Sequence, residues 1–172
     1  MRALDFFQGH PNTDGRTLDE ILAYSDDQLE DHHDIVQWCF PNHQPSNFNP
    51  DTPVVSEAEQ RLLAADSAIQ RRMRDVLDRW LRFYGFRFEG NAVVRSPDFP
   101  EKSINWNRPL NHNHLRITRI IRSLRLFGLD AEAQQVYNAF NAFARSPEST
   151  IAPSAPAYWQ KALTGDLFAP IR

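Results

Sequence analysis

The chain has 172 residues, of which 24% are charged, and this composition is typical of a folded, soluble domain rather than a disordered chain. One domain of this length would bury roughly 70% of its unfolded surface. The single cysteine, Cys39, excludes an intrachain disulfide and fits a reducing compartment, so we expect a cytoplasmic protein. No apolar run approaches about 18 residues and the N-terminus lacks a secretory signal, so we expect no membrane span.

The net charge of −3 hides an uneven distribution along the chain. Residues 1–60 carry 12 acidic and 2 basic residues, whereas residues 61–130 carry 14 basic and 7 acidic residues. Opposite charges in one small domain can pair with each other or present a field to a partner. We expect pairing within the molecule to dominate.

The first third of the chain predicts two helices followed by a loop. Thr17 with Glu20 forms a capping box that begins a short helix ending at Tyr24. A second helix is expected over roughly 26–40, and four prolines between 41 and 53 predict an extended loop after it. The apolar stripe of the second helix consists of Leu29, His33, Val36 and Phe40.

The middle of the chain predicts two helices and a hairpin. Ser56 with Glu59 is another capping box and begins a helix that ends near residue 65. A longer amphipathic helix follows, which Asp66 or Ser67 can cap; it reaches Tyr84 and is closed by Gly85. Alternation on both sides of a Gly-Asn pair predicts a short hairpin over 86–95. Residues 96–111 contain three prolines and are expected to form a loop.

The most regular helix is the arginine helix, in the segment HNHLRITRIIRSLRLFGL at 112–129. Its apolar residues recur three and four positions apart and form one stripe; they are Ile117, Ile120, Ile121, Leu124 and Phe127. The rest of its surface carries Arg116, Arg119, Arg122 and Arg125. With further helices expected over 130–144 and 156–163, residues 1–172 predict one all-α domain of six or seven helices with long proline-containing loops.

Four segments carry longer motifs, namely DFFQGHPNTDGRTL, LEDHHDIVQWCFP, FYGF and INWNRPLNHNHLRITRIIRSLRLFGL. The positions that carry the match are Phe6, Gly9, Gly15, Thr17, His33, Gln37, Trp38, Phe40, Pro41, Asn105, Trp106, His112, Leu115, Arg116, Ile117, Thr118, Arg119 and Gly128. Together these motifs span roughly residues 3–129 and resemble the opioid growth factor receptor (OGFr) conserved domain. The chain departs from the family pattern at Cys39 and His114.

The resemblance implies a receptor-like protein rather than a particular chemistry. Eukaryotic members of the family are described as receptors for the opioid peptide met-enkephalin that are associated with the nucleus and act on growth. Those members also carry C-terminal repeat tails. Since this chain shows no such repeats, we expect it to resemble a free-standing microbial member of the family.

The start of the arginine helix is the main candidate binding site. Its unpaired backbone N–H groups lie near cationic side chains, and such helix ends bind anions. A peptide carboxylate, a phosphate or an acidic side chain of the same chain would all fit. The tryptophans off the apolar stripes would either anchor loops or contact a ligand. The candidate ligand-binding residues are Trp38, Trp106, His112, Arg116, Arg119 and Arg122.

Two other functions stay open at this stage. The side chains of His33, Asp34, His112 and His114 could bind a metal in a hydrolase if their helices meet. His33 also lies on an apolar stripe, where a buried, hydrogen-bonded core histidine would be the simpler interpretation. The four arginines could contact nucleic-acid phosphates, form a solvated face, or pair with the acidic residues in 19–34.

We therefore expect a non-enzymatic peptide- or protein-binding or regulatory domain. Its partner would be a peptide or protein segment with an acidic or carboxylate feature. A metal-dependent hydrolase is the first alternative, and a nucleic-acid-binding protein is the second. No cofactor is expected.

Overall fold

A computed structural model describes residues 1–170. These residues form ten helices and one two-stranded sheet, so the fold is mostly helical but is not the all-α domain of six or seven helices that we expected. The elements in chain order are α1 (Ala3–Phe7), α2 (Leu18–Leu22), α3 (Asp26–Asp31), α4 (Ile35–Cys39), α5 (Glu57–Ala65), α6 (Ser67–Tyr84), β1 (Phe86–Glu89), β2 (Ala92–Arg95), α7 (Phe99–Ser103), α8 (His112–Leu126), α9 (Asp130–Ala144) and α10 (Ser154–Thr164). None of these helices is long and apolar enough to cross a membrane.

Short helices account for the difference in number. Helix α1 precedes the first capping sequence, and α7 lies in the predicted proline loop, where Pro100 takes an early helix position that tolerates proline. The helix expected over 26–40 is two helices, because His32 has an extended backbone with ψ of 94°. His33 lies in this break and is exposed, so the prediction of a core histidine there is wrong.

The other predicted helices are present, and side-chain caps explain where α2 and α5 begin. The side chains of Thr17 and Ser56 accept the backbone N–H groups of Glu20 and Glu59 at 3.3 and 3.1 Å. Of these two sites only the first is a complete capping box. At the second, the carboxylate of Glu59 instead accepts the backbone N–H of Leu4 at 3.0 Å and joins α5 to α1.

The predicted hairpin is confirmed. Strands β1 and β2 are antiparallel, with Phe86 opposite Arg95. Gly85 joins α6 to β1 with a φ of +92°, which side-chain-bearing residues rarely adopt. A Cβ at this position would lie 2.9 Å from the Cα of Phe99. The glycine therefore allows both the turn and the close approach of α7.

Helix α8 is the central element of the fold. Its predicted apolar stripe is buried, and the helix packs against α9 and α10. The indole N–H of Trp159 in α10 donates to the backbone carbonyl of His114 at 3.0 Å. Polar side chains outside the stripe, including Thr118 and Ser123, are buried as well. The helix is therefore enclosed on most of its surface, and the expectation of one apolar and one charged face is only half right.

The charge asymmetry of the sequence is resolved mostly inside the molecule. The guanidinium groups of Arg72 and Arg79 on α6 contact the carboxylates of Asp19 and Asp26 at 2.6 and 2.8 Å. The ammonium group of Lys102 contacts Asp26 at 3.1 Å. The acidic first part of the chain is therefore paired with the basic middle part, as we expected, but chiefly through α6 and α7 rather than through α8.

Candidate functional site

Arg116 of α8 is held by backbone carbonyls of α3. Its two terminal nitrogens donate to the carbonyl oxygens of Leu29 and Glu30 at 3.1 and 3.3 Å. Its guanidinium also lies over the ring of Trp80, with Cζ 5.6 Å from the ring centroid. The Glu30 carboxylate is more distant, at 3.9 Å. This buried arginine therefore joins α3 to α8 and has little capacity to bind another group.

Arg122 and Arg125 cap the C-terminal end of α10. Arg122 donates to the carbonyl oxygen of Asp166. Arg125 donates to the carbonyl oxygens of Ala162 and Gly165 at 2.8 and 2.9 Å. The last carbonyls of a helix have no partner within the helix and carry its negative dipole end. Two arginines of α8 therefore supply the donors that this helix end requires.

Arg119 differs from these three arginines. Its Nε donates to the carbonyl oxygen of Phe40, at the end of α4, over 2.9 Å. Within residues 1–170, its two Nη groups make no hydrogen bond and its guanidinium pairs with no carboxylate. Desolvation by the surrounding protein lowers the pKa of Arg119 to about 10, so the side chain is still protonated at neutral pH. It is a half-buried cation with two unused donor groups.

Arg119 lies in the wall of the α4–α8–α10 cleft, which has a volume of about 550 Å³. The cleft is lined by Val36, Gln37, Gln44, Pro45, Leu115, Arg116, Thr118, Arg119 and Tyr158. The side chains of Leu115 and Tyr158 are 68% and 41% exposed. The lining thus combines apolar and aromatic surface with two cations and includes no acidic residue, a composition that suits an anionic ligand with apolar parts.

Gln37 adds a polar group to the same cleft. Its amide Nε2 donates to the hydroxyl oxygen of Ser46 at 3.0 Å. Its carbonyl Oε1 is buried and has no hydrogen-bond partner among the described residues. Buried polar atoms without a partner are uncommon in folded proteins, because each one loses its hydrogen bonds with water. This oxygen is thus an unsatisfied acceptor on a residue that lines the cleft.

A second cleft, of about 570 Å³, lies between the hairpin, α6 and α9. Its arginine, Arg74, is paired with the carboxylate of Glu132 at 3.2 Å. The lining also contains Asp78, so the charges there are mixed. Because Glu132 neutralises this arginine, the cleft has no unpaired cation among its lining residues.

The two candidate tryptophans lie in the core. Trp38 is 1% exposed, and its ring centroid lies 5.2 Å from that of Phe6. Trp106 is fully buried, and its indole N–H donates to the backbone carbonyl of Tyr84 at 3.1 Å. Arg122 is also buried. These three residues support the fold and present nothing to a ligand at the surface, so Arg116 and Arg119 are the predicted ligand-binding residues that line the cleft.

His112 lies outside the cleft lining, at the first position of α8. Its Nε2 is 2.5 Å from a carboxylate oxygen of Glu30. Burial opposes ionisation of Glu30, but hydrogen bonds from Asn105 and Asn113 and the nearby cations outweigh burial and hold the pKa of this carboxyl below its usual value. The anion at the start of α8 is thus a side chain of the same chain, which was one of the three ligands expected there.

The alternative metal set does not assemble. The rings of His33 and His112 meet edge to face with centroids 5.6 Å apart, but Asp34 pairs with Arg16. The Nε2 of His114 instead contacts the backbone carbonyl of Trp106, at 2.9 Å. Within residues 1–170 no group of three histidine, cysteine, aspartate or glutamate side chains is placed to hold a metal.

Seven of the nine residues that line the cleft were not among the predicted site residues, and Leu115, Gln37 and Tyr158 illustrate why. Leu115 is apolar but lies off the stripe of α8, which was a usable signal for an exposed apolar contact. Gln37 was recognised only as part of a family motif. Tyr158 lies beyond the motifs, and no pattern in the sequence indicates that α10 would line the same cleft as α4.

Comparison with known proteins decides the family. The model of the family described as "Opioid growth factor receptor (OGFr) conserved region" matches residues 1–163. The chain belongs to the OGFr conserved-region family. Residues Trp106 and Arg116, which carried the resemblance in the sequence, are thus core and packing residues of an OGFr domain.

Individual relatives match between 60% and 90% of the chain. The chain is 31% identical to the rat (Rattus norvegicus) opioid growth factor receptor over 162 residues, which are 90% of this chain and 27% of that protein. It is 34% identical to the human protein of that name over 110 residues, or 60% of this chain and 16% of that protein. It is 31% identical to the Xenopus tropicalis opioid growth factor receptor-like protein 1 over 87% of this chain and 29% of that protein. This OGFr domain thus spans less than a third of each of these relatives, and no solved structure matches it.

Proposed function

We propose that this OGFr domain is a non-enzymatic binding module whose ligand is a peptide or protein segment that carries a carboxylate. The ligand occupies the α4–α8–α10 cleft. Arg119 binds the carboxylate, and Leu115 and Tyr158 contact apolar parts of the segment. The observation that carries the proposal is the half-buried guanidinium of Arg119, which has two unused Nη groups and no acidic partner within residues 1–170.

Electrostatics support a carboxylate in particular. A cation that is partly desolvated and unpaired binds an anion more strongly than a solvated surface cation does, because less water must be displaced. The two Nη groups of an arginine match the two oxygens of a carboxylate. The relatives named opioid growth factor receptor are called receptors of a growth factor, and a binding module is the corresponding function for this domain.

The alternatives have less support. Nucleic-acid binding relies on several phosphate contacts, whereas Arg116, Arg122 and Arg125 direct their donors at backbone carbonyls. A hydrolase would need its histidines and carboxylates to converge, and within the described residues they do not.

Titration with two acetylated tetrapeptides tests the proposal. The first, acetyl-Gly-Leu-Asp-Leu with a free C-terminus, carries two carboxylates. The second, acetyl-Gly-Leu-Asn-Leu-amide, carries none. We expect the first peptide to bind at least about tenfold more tightly, since a hydrogen bond to a charged group contributes roughly 1.5–3 kcal/mol. Nuclear magnetic resonance shifts of Leu115 and Tyr158 should locate the bound peptide in the cleft.

Matched variants control for general loss of charge. Arg119→Met should bring the two affinities together, whereas Arg71→Met, at an exposed arginine of α6, should leave the difference unchanged. Equal binding of the two peptides by the wild-type domain, or shifts confined to another surface, would refute the proposal.

A further inference from the structure

The cleft supplies one open guanidinium, and this limits the charge of its ligand. Arg116 also lines the cleft, but its Nη groups donate to two backbone carbonyls of α3. The Nη pair of Arg119 is therefore the cationic group left for a ligand among the lining residues that the structure describes. One carboxylate satisfies such a pair, while a phosphate would bring more negative charge than one arginine neutralises.

A hydrogen-bond acceptor lies in the wall of the same cleft. The Oε1 of Gln37 is buried without a partner, and Gln37 precedes Phe40, whose carbonyl holds the Nε of Arg119, by about one helical turn. The acceptor and the cation are thus both placed by α4. A ligand with a carboxylate for Arg119 and an N–H group for Gln37 would satisfy both side chains.

The remaining lining is apolar. Leu115 and Tyr158 expose most and nearly half of their surface, respectively, and Val36 and Pro45 complete this part of the cleft. A volume of about 550 Å³ is in the range of sites for compact ligands. It suits the end of a peptide better than an extended segment that runs through the site.

We propose that the cleft recognises the free C-terminus of a peptide chain whose last residue is apolar. This inference rests on the proposed function and specifies which carboxylate is bound. The last residue of a peptide carries an N–H group, a carboxylate and a side chain on one Cα. These three groups correspond to Gln37, Arg119 and the pair Leu115–Tyr158.

The experiment separates the two carboxylates of the first tetrapeptide. One probe, acetyl-Gly-Leu-Asn-Leu with a free C-terminus, retains only the terminal carboxylate. The other, acetyl-Gly-Leu-Asp-Leu-amide, retains only the side-chain carboxylate. We expect the free-terminus probe to keep the affinity of the parent peptide within about threefold and the amide probe to bind about tenfold more weakly. Equal affinities, or tighter binding of the amide probe, would overturn the inference.

The role of Gln37 is tested with a methyl group on the last peptide nitrogen. N-methylation removes the N–H group and should weaken binding to the wild-type domain. N-methylation should have a much smaller effect on binding to the Gln37→Leu variant, because this variant lacks the Oε1 acceptor. In a separate test of the cation, Arg119→Lys should restore part of the affinity that Arg119→Met loses. An equal effect of N-methylation on both proteins would exclude the contact with Gln37.

The two proposals fail in different ways. If the amide probe binds through Arg119 as tightly as the free-terminus probe, the domain still binds carboxylate peptides but does not read a chain end. If neither probe binds more tightly than the uncharged tetrapeptide, both proposals are wrong.

Discussion

Helix α8 meets α10 through Arg122 and Arg125, and it meets the end of α4 through Arg119. At the first junction Nη groups of both arginines donate to carbonyls at or just beyond the end of α10. At the second junction the Nε of Arg119 is bonded, its two Nη groups have no hydrogen bond within residues 1–170, and the residue lines a cleft. The comparison teaches that a row of arginines on a helix does not by itself indicate a binding surface. What matters is which donors the fold leaves without partners.

The contrast between the two junctions depends on the orientation of α8 about its axis. The substitution Ile120→Asp tests this orientation and should have the largest effect. Ile120 is 2% exposed in the central stripe, so a carboxylate there would be buried without a partner. We expect a loss of several kcal/mol in the free energy of unfolding, enough to unfold the domain. Circular dichroism during thermal melting measures the change. Unchanged melting would mean that α8 is rotated and that both junctions are assigned incorrectly.

Replacing Arg122 should lower the free energy of unfolding more than replacing Arg119 does. Arg122→Met leaves carbonyls at the end of α10 without their donor, and we expect a loss of about 1–3 kcal/mol. Arg119→Met removes a partly desolvated cation along with one hydrogen bond, so we expect a change of less than about 1 kcal/mol. Urea denaturation of both variants measures the contrast. Equal losses in the two variants would show that Arg119 is as structural as Arg122.

Acidification should destabilise the domain through two histidines packed near α8. Burial lowers the pKa of His43, with further lowering from the charges of Arg122 and Arg119, and burial likewise lowers the pKa of His114. The unfolded chain then binds protons first as the pH falls below about 6.5, so the free energy of unfolding declines in that range. Urea midpoints between pH 7.5 and 5.5 measure the decline.

Variants assign this pH dependence to the two histidines. The double variant His43→Gln/His114→Gln should be less stable overall but should show a flatter profile from pH 7.5 to 5.5. A profile as steep as that of the wild type would place the responsible groups elsewhere.

The smallest expected effect concerns salt. Because Arg119 pairs with no carboxylate in residues 1–170, the destabilisation caused by Arg119→Glu should be the same at low and high ionic strength. Arg72→Met, which breaks the contact with the exposed Asp19, should be less destabilising at high salt, since exposed ion pairs are screened. Melting temperatures at two salt concentrations measure both effects. A salt-dependent loss in Arg119→Glu would reveal an acidic partner.

Helices with strong local signals could be predicted from the sequence. The 3.6-residue periodicity of α6 and α8 and the cap at Gly85 depend on neighbours in sequence, and the structure confirms them. The break at His32 and the short helix α7 depend on tertiary packing, which can override local preference. They were therefore missed.

The candidate site was predictable only in part. Arg119 could be chosen as one of four arginines, but nothing local distinguishes it from Arg122. The difference arises because α10, about 40 residues later in the chain, supplies carbonyls to one of them and leaves a cleft beside the other. Trp38 and Trp106 were chosen because aromatic residues outside a stripe can be exposed, whereas the fold buries both.

The enclosure of α8 also has a dynamic consequence. An element that is surrounded by packed neighbours exchanges its amide hydrogens only through large-scale opening, so the amides of α8 should be among the slowest in the domain to exchange. The backbone that carries Arg119 is then already rigid before any ligand arrives. Association would require little ordering of this wall of the cleft, and the entropic cost of binding would fall mainly on the peptide.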